Sequence, residues 1–281
     1  MKTTRRKFIE TTALATGAVS AIPFVSLAGE GKTKLKKFGF ISGIVQEAMK
    51  ADWIDTLKKA AGFGFSEIEG GTNYAKSPQE FLQVCKDFGF TPIAGSIDFK
   101  ASDDELKKSF DKINQFEQEY VITYWPWYGG APFSLEDCKK SVDRLNELGP
   151  KAKANGLKLL WHNHDNEFRE MEEGLPFDYL MKHTDPETVN CEMDIYWVKK
   201  GGGDPLKTLK KYQGRIPVLH VKDMTPDGDF ICPGSGIIDF ATIFKEAVKQ
   251  GIEHYIVERD NEPDGIGCLK SSGEYLKNLT F

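Results

Sequence analysis

Residues 158–168 read KLLWHNHDNEF. A short apolar run leads into His162 and His164, then Asp165 and Glu167. Alternate side chains of a β-strand point to the same face, so the two imidazoles should project together from the end of a strand. The chain has only 5 histidines, and 2 of them stand at this point.

On either side of this stretch the sequence alternates regularly between period-2 apolar runs and amphipathic segments of helical period. Strands are predicted over 37–45, 65–71, 91–98, 119–128, 157–165, 189–198, 216–224 and 254–260. Helices are predicted over 47–64, 77–89, 102–118, 134–156, 177–184, 205–214, 239–251 and 266–279. Three of the helices open on serine. Ser77 precedes Pro78, Ser102 has Glu105 three residues on, and Ser134 starts the fourth. Eight consecutive strand–helix units predict an α/β fold, the (β/α)8 TIM barrel. A doubly wound open sheet is the alternative, but no glycine-rich dinucleotide fingerprint appears.

The first 28 residues form a separate segment. KTTRRKFIE is followed by the mildly apolar TALATGAVSAIPFVSLA, with Ser26 and Ala28 at a plausible cleavage site. Arg5-Arg6 before Lys7-Phe8-Ile9 resembles a twin-arginine signal, which predicts export to the periplasm. A retained anchor is disfavoured by the shortness of the stretch and by Pro23. The expected organisation is an export signal over 1–28 and one barrel domain over 29–281.

The whole chain carries 37 Lys and Arg against 42 Asp and Glu, a net charge of −5. Without residues 1–28 it loses Lys2, Arg5, Arg6 and Lys7 and one acid, Glu10, leaving 33 bases, 41 acids and a net charge of −8. An acidic surface argues against a nucleic-acid partner. Once the signal is removed, no membrane association is expected; a small sugar is the expected partner, and a homo-oligomer is compatible with the sequence. Cys85, Cys138, Cys191, Cys232 and Cys268 are scattered, odd in number and lack CxxC spacing. They predict free thiols rather than a disulfide framework or a zinc knuckle.

Barrel active sites lie at the C-terminal ends of the strands. There the sequence places Glu69, Asp98, Trp125 and Trp127, then His162, His164 and Glu167, then Glu192, Asp194 and Trp197, then His220, Lys222 and Asp223, and finally Glu258 and Asp260. His162, Asp194, His220 and Glu258 end four consecutive strands. Two imidazoles and two carboxylates around one point suit one divalent metal, Mn²⁺ first and Zn²⁺, Co²⁺ or Fe²⁺ as alternatives. His183 and His254 lie away from strand ends and are expected to be ordinary structural histidines. Trp125, Trp127 and Trp197 could stack on a sugar ring, and Glu69 could bind substrate. Lys222 lies two residues beyond His220, on the same face, where it could meet a substrate oxygen.

HNHDNEF (162–168), EMDIYW (192–197), LHVKDM (219–224), GSGIIDF (234–240) and VERD (257–260) together resemble the xylose-isomerase-like barrels, the sugar phosphate isomerases and epimerases. The resemblance implies metal ligands at His162, Asp194, His220 and Glu258. Most members have Glu at the first of these positions. Histidine there resembles instead the inosose dehydratase branch and enzymes acting on 3-keto sugars by β-elimination. The implied function is a metal-dependent isomerase, epimerase or lyase working on a keto sugar, inosose or 3-keto-glycoside through an enediolate. Glu258 would move a proton, with Glu167 or His164 as the second acid–base group and Lys222 assisting. A non-catalytic sugar-binding barrel and an AP-endonuclease-like nuclease are the competing readings. Trp197 stands where the nuclease branch has a zinc-binding histidine, which argues against the second.

Overall fold

A computed structural model describes residues 33–281. The expected export segment, residues 1–28, lies outside the described residues.

Eight parallel strands close into a barrel. They are β1 (Gly39–Ile41), β2 (Glu67–Glu69), β3 (Thr91–Ser96), β4 (Tyr120–Thr123), β5 (Lys158–His162), β6 (Val189–Asp194), β7 (Val218–Val221) and β8 (His254–Val257). β1 pairs with both β2 and β8, which completes the circle and excludes the open sheet. The helices are α1 (Gln46–Phe63), α2 (Pro78–Phe88), α3 (Asp103–Gln115), α4 (Leu135–Ala154), α5 (Pro176–His183), α6 (Ile195–Lys200), α7 (Pro205–Lys211), α8 (Phe240–Lys249) and α9 (Gly265–Asn278).

Local chemistry explains where the helices start. Ser77 Oγ accepts a hydrogen bond from the Glu80 amide, with Pro78 just inside α2. Glu105 accepts from both the amide and the hydroxyl of Ser102, and Asp137 does the same for Ser134. These bonds satisfy amide groups that the first helical turn leaves unpaired.

The strands are shorter than predicted because pairing stops at the rim. β1 ends at Ile41 and gives way to a 3-10 turn over Ser42–Val45. β6 ends at Asp194, whose side chain caps α6, a short helix that the sequence reading had absorbed into the strand. Beyond β7, Asp223–Met224 and Phe230–Ile231 form a small antiparallel ribbon that was also unforeseen.

The main core lies between barrel and helices. Phe40, Val121, Leu159, Trp161, Met193 and Leu219 all point outward into it. A smaller core fills the barrel itself, built from Ile93, Ala94, Tyr120, Ile122, Leu160, Val218 and Ile256. Because side chains alternate, the same inward face continues upward as Tyr124, His162, Asp194, His220 and Glu258. Apolar residues thus plug the barrel, and polar residues collect above them.

One expectation about the cysteines is corrected: Cys232 and Cys268 form a disulfide, with Cα atoms 5.5 Å apart. They lie 36 residues apart in sequence, so no spacing rule could pair them. Cys85, Cys138 and Cys191 are free and buried.

Candidate active site

The barrel register sets the heights of the site residues. His162 lies level with Glu192, and Asp194 with His220. His220 lies level with Ile256, which lifts Glu258 one inward step above it. Ligand atoms of His162, Asp194, His220 and Glu258 all lie within 4.8 Å of one another. The four predicted metal ligands therefore meet at one point.

Each is held by a neighbour. Asp194 divides its carboxylate: Oδ1 accepts the Trp197 amide at 2.9 Å as the cap of α6, and Oδ2 faces the cluster. That second oxygen is buried and accepts no well-aligned hydrogen bond, although Lys222 Nζ stands 3.0 Å away. His162 engages Glu192 through Nδ1 at 3.0 Å and turns Nε2 toward Asp194 at 3.8 Å. His220 meets Glu258 through Nδ1 at 2.9 Å, and Glu69 and Glu192 through Nε2 at 3.2 Å each.

Burial and charge set the protonation states. Burial, with His220 beside it, holds His162 well below the usual histidine range, so it is neutral and keeps a lone pair. Burial raises Asp194 to about 6, against the pull of Lys222. His220 is held well above its usual value: burial opposes its charge, but Glu192, Glu69 and Glu258 overcome that. Burial would raise Glu258 too, yet Lys222 and His220 hold it well below the carboxylate range. Glu192 is held well above the usual carboxylate range by burial and by the neighbouring Glu69.

A bare carboxylate oxygen, a neutral imidazole, a second imidazole and an ionised carboxylate at one point fit a divalent cation of the Mn²⁺, Zn²⁺, Co²⁺ or Fe²⁺ type. Lys222 shows the same demand for positive charge. It is fully buried, and its ammonium lies 3.0 Å from Asp194, 2.9 Å from Glu258 and 2.8 Å from Asp260. Trp197 at 5.0 Å and Phe230 at 5.5 Å cover its other side. Lys222 is thus a buried member of the cluster and not a surface lysine.

His164 reaches the same mouth, its ring 5.1 Å from that of His162 and between Trp125 at 5.3 Å and Trp197 at 5.4 Å. Its Nδ1 is buried without a hydrogen-bond partner. Burial, with Lys222 nearby, lowers it to about 4, so it is neutral. Trp125 is 38% exposed beside it, open to a ligand.

Three expected site residues are buried. Glu167 is fully buried, and both of its oxygens are taken, by Trp127 Nε1 at 2.7 Å and the His164 amide at 3.0 Å. Burial pushes it to about 7, and its two hydrogen bonds tie it to the loop that carries His164. Trp127 is 1% exposed and stacks on Phe133 with ring centres 3.7 Å apart, so it packs the core and cannot be a sugar platform. Glu69 is also fully buried; it accepts from the Tyr124 hydroxyl at 2.6 Å and meets His220 at 3.2 Å, so it packs against the cluster. His254 and His183 are structural as expected, the first beside Glu67 at 3.0 Å, the second beside the Tyr179 carbonyl at 2.9 Å.

Glu192, Tyr124 and Asp260 were given no role by the sequence reading. The signal was parity: each stands two residues from an inward-facing site or core residue.

Fold and geometry together define a closed (β/α)8 barrel with a charged, metal-competent mouth on its last four strands. Residues 57–279 match the Xylose isomerase-like TIM barrel family, and the chain belongs to that family. The inosose dehydratase of Clostridium perfringens is 33% identical over 167 residues, 52% of this chain and 56% of that protein. The chain thus spans about half the length of the curated relatives it matches. A sugar phosphate isomerase/epimerase from Parabacteroides distasonis superposes with a TM-score of 0.73 at 22% identity, covering 92% of this chain and 98% of that one. The 3-keto-D-glucoside 4-epimerase of E. coli superposes with a TM-score of 0.65 at 16% identity, covering 86% and 99%.

Proposed function

We propose that the protein is a metal-dependent carbohydrate enzyme that moves the proton next to the carbonyl of a keto sugar, inosose or 3-keto-glycoside. The reaction we favour is β-elimination, the dehydratase or lyase direction; isomerisation or epimerisation would use the same first proton transfer. The observation that carries this reading is the convergence of His162, Asp194, His220 and Glu258 within 4.8 Å. The curated inosose dehydratase relative supports the choice of elimination, as does histidine in place of glutamate at position 162.

A divalent cation held by these four residues would supply positive charge where an enediolate develops. The remaining work falls to the protein. Glu258 is ionised and keeps 15% exposure, and its Oε2 takes the contacts with His220 and Lys222, so its other oxygen can accept a proton from substrate. Lys222 stays protonated because Asp194, Glu258 and Asp260 outweigh the effect of burial, and it can hydrogen-bond a substrate oxygen that gains charge. The unpartnered Nδ1 of His164 can hold a substrate hydroxyl between Trp125 and Trp197.

We further propose that residues 1–28 direct export by the twin-arginine route. The Arg5-Arg6 start supports this, and a disulfide such as Cys232–Cys268 persists in oxidising compartments.

The test is elemental analysis of the purified protein, followed by proton–deuterium exchange at the α-carbon of inososes and 3-keto sugars. One metal per chain and chelator-sensitive exchange are expected. Metal-free protein with exchange indifferent to chelators would sink the reading.

A further inference from the structure

The ligand cluster occupies one half of the barrel mouth, above β5–β8. A separate cavity of about 400 Å³ opens above the other half, within the ~300–1,000 Å³ typical of small-molecule sites. Its walls come from the ends of β1 to β4 and from α3. Tyr124 joins the two halves: it lines the cavity, donates to Glu69, and packs its ring 5.7 Å from that of His162.

Tyr124 and Gln118 are hydrogen-bonded within the protein, but the other neutral polar side chains of this cavity are not. Ser42, Thr72, Asn73, Ser96 and Ser109 all face it, and none of their side chains makes a hydrogen bond to another described residue. Elsewhere the serines at helix starts are committed to caps, as Ser77 and Ser134 are. The cavity is also kept open by small residues. A Cβ on Gly70, which has φ +71°, would come within 2.9 Å of the Ser42 hydroxyl. A Cβ on Gly95 would lie 2.7 Å from Gln118 Oε1 and 2.8 Å from Ile113. No carboxylate lines the space, and Lys112 is its one charged group.

Neutral hydroxyls and an amide around a cavity open to solvent, where Asn73 and Ser96 are exposed, match the hydroxyls of a sugar ring better than an apolar or strongly charged group. We propose that this cavity is a second-sugar subsite, so that the substrate is a two-ring glycoside. One ring lies over the ligand cluster, and its glycosidic partner lies above β1–β4. This rests on the proposed carbohydrate activity and narrows it, because a lone inosose would leave the cavity unused.

The test is calorimetric titration of the purified protein with glucose and with cellobiose, maltose and trehalose. At least one disaccharide should bind about tenfold or more tightly than glucose, a difference of about 1.4 kcal/mol. Ser96→Phe, which fills the cavity, should bring that ratio close to one, and Asn73→Ala should lower it without adding bulk. Thermal melts of both variants separate this effect from misfolding. If no disaccharide outbinds glucose, or if both folded variants keep the parent ratio, the subsite does not exist. If inorganic phosphate binds competitively and Lys112→Ala abolishes that binding, the cavity is an anion site and the proposal falls. The titration needs no turnover. A disaccharide preference without α-proton exchange would therefore fail only the enzymatic reading, and exchange without the preference would fail only the subsite.

Discussion

Asp194 shows how much a single carboxylate is asked to do. One oxygen fixes the start of α6, and the other is buried without a proper donor. With its pKa raised to about 6 by burial, protons compete with a cation for that oxygen. His220 must also release a proton to become a ligand, because the surrounding carboxylates keep it charged. Both effects have the same sign. Binding of Mn²⁺ or Zn²⁺ should strengthen as pH rises from 5 to 8, by up to roughly a hundredfold per unit below pH 6, where both protons are displaced, and about tenfold per unit above it; titrations at fixed ionic strength that show no pH dependence would refute it. For Glu258→Gln, turnover measured with metal saturating should fall by ~10²–10⁴, the usual contribution of a proton shuttle. Substrate affinity should change far less, since the amide keeps the shape of the acid. Metal occupancy measured on the same sample shows whether the loss is chemical. Parent-like turnover would move the proton transfer to His164 or Lys222.

Among the elements, the loop after β7 is the most elaborate, and it is organised by one buried acid. Asp223 Oδ1 accepts the Met224 and Ile238 amides, and Oδ2 accepts those of Gly234 and Gly236, at 2.8–3.1 Å. The loop lays Phe230 over Lys222 and against Trp197. Cys232 then ties it to Cys268 on α9. The bond thus ties the loop after β7, next to Lys222, to the helix that follows β8 and the Glu258–Asp260 loop. Replacing both cysteines by serine should lower unfolding stability by about 2–4 kcal/mol, the amount expected from closing a loop of this length. Denaturant titration under non-reducing conditions measures it. An unchanged midpoint would show that the disulfide contributes nothing to the fold.

At the scale of the whole molecule, closure of the sheet brings residues nearly 100 positions apart, from His162 to Glu258, to one point. No helix among the described residues is long and apolar enough to cross a membrane. If the N-terminal segment is a cleaved signal, intact-mass analysis of the native protein should show a chain starting near Gly29. Protein recovered from the cytosol with residues 1–28 in place would overturn export.

The barrel itself was legible in the sequence, because eight alternations of period 2 and period 3.6 leave few other architectures. His162, Asp194, His220 and Glu258 were legible for the same reason, as each ends a strand, and strand ends in a barrel share one rim. Other features were not, because they depend on contacts between distant segments. Pattern alone could not show that Trp127 and Glu167 face each other inside the helix layer, nor that Glu69 lies beneath His220. It could not bring Cys232 to Cys268, nor show that Lys222 would be buried against three carboxylates. Local periodicity determines which face a side chain takes; only closure of the barrel, with its stagger between strands, decides which other side chains it meets there.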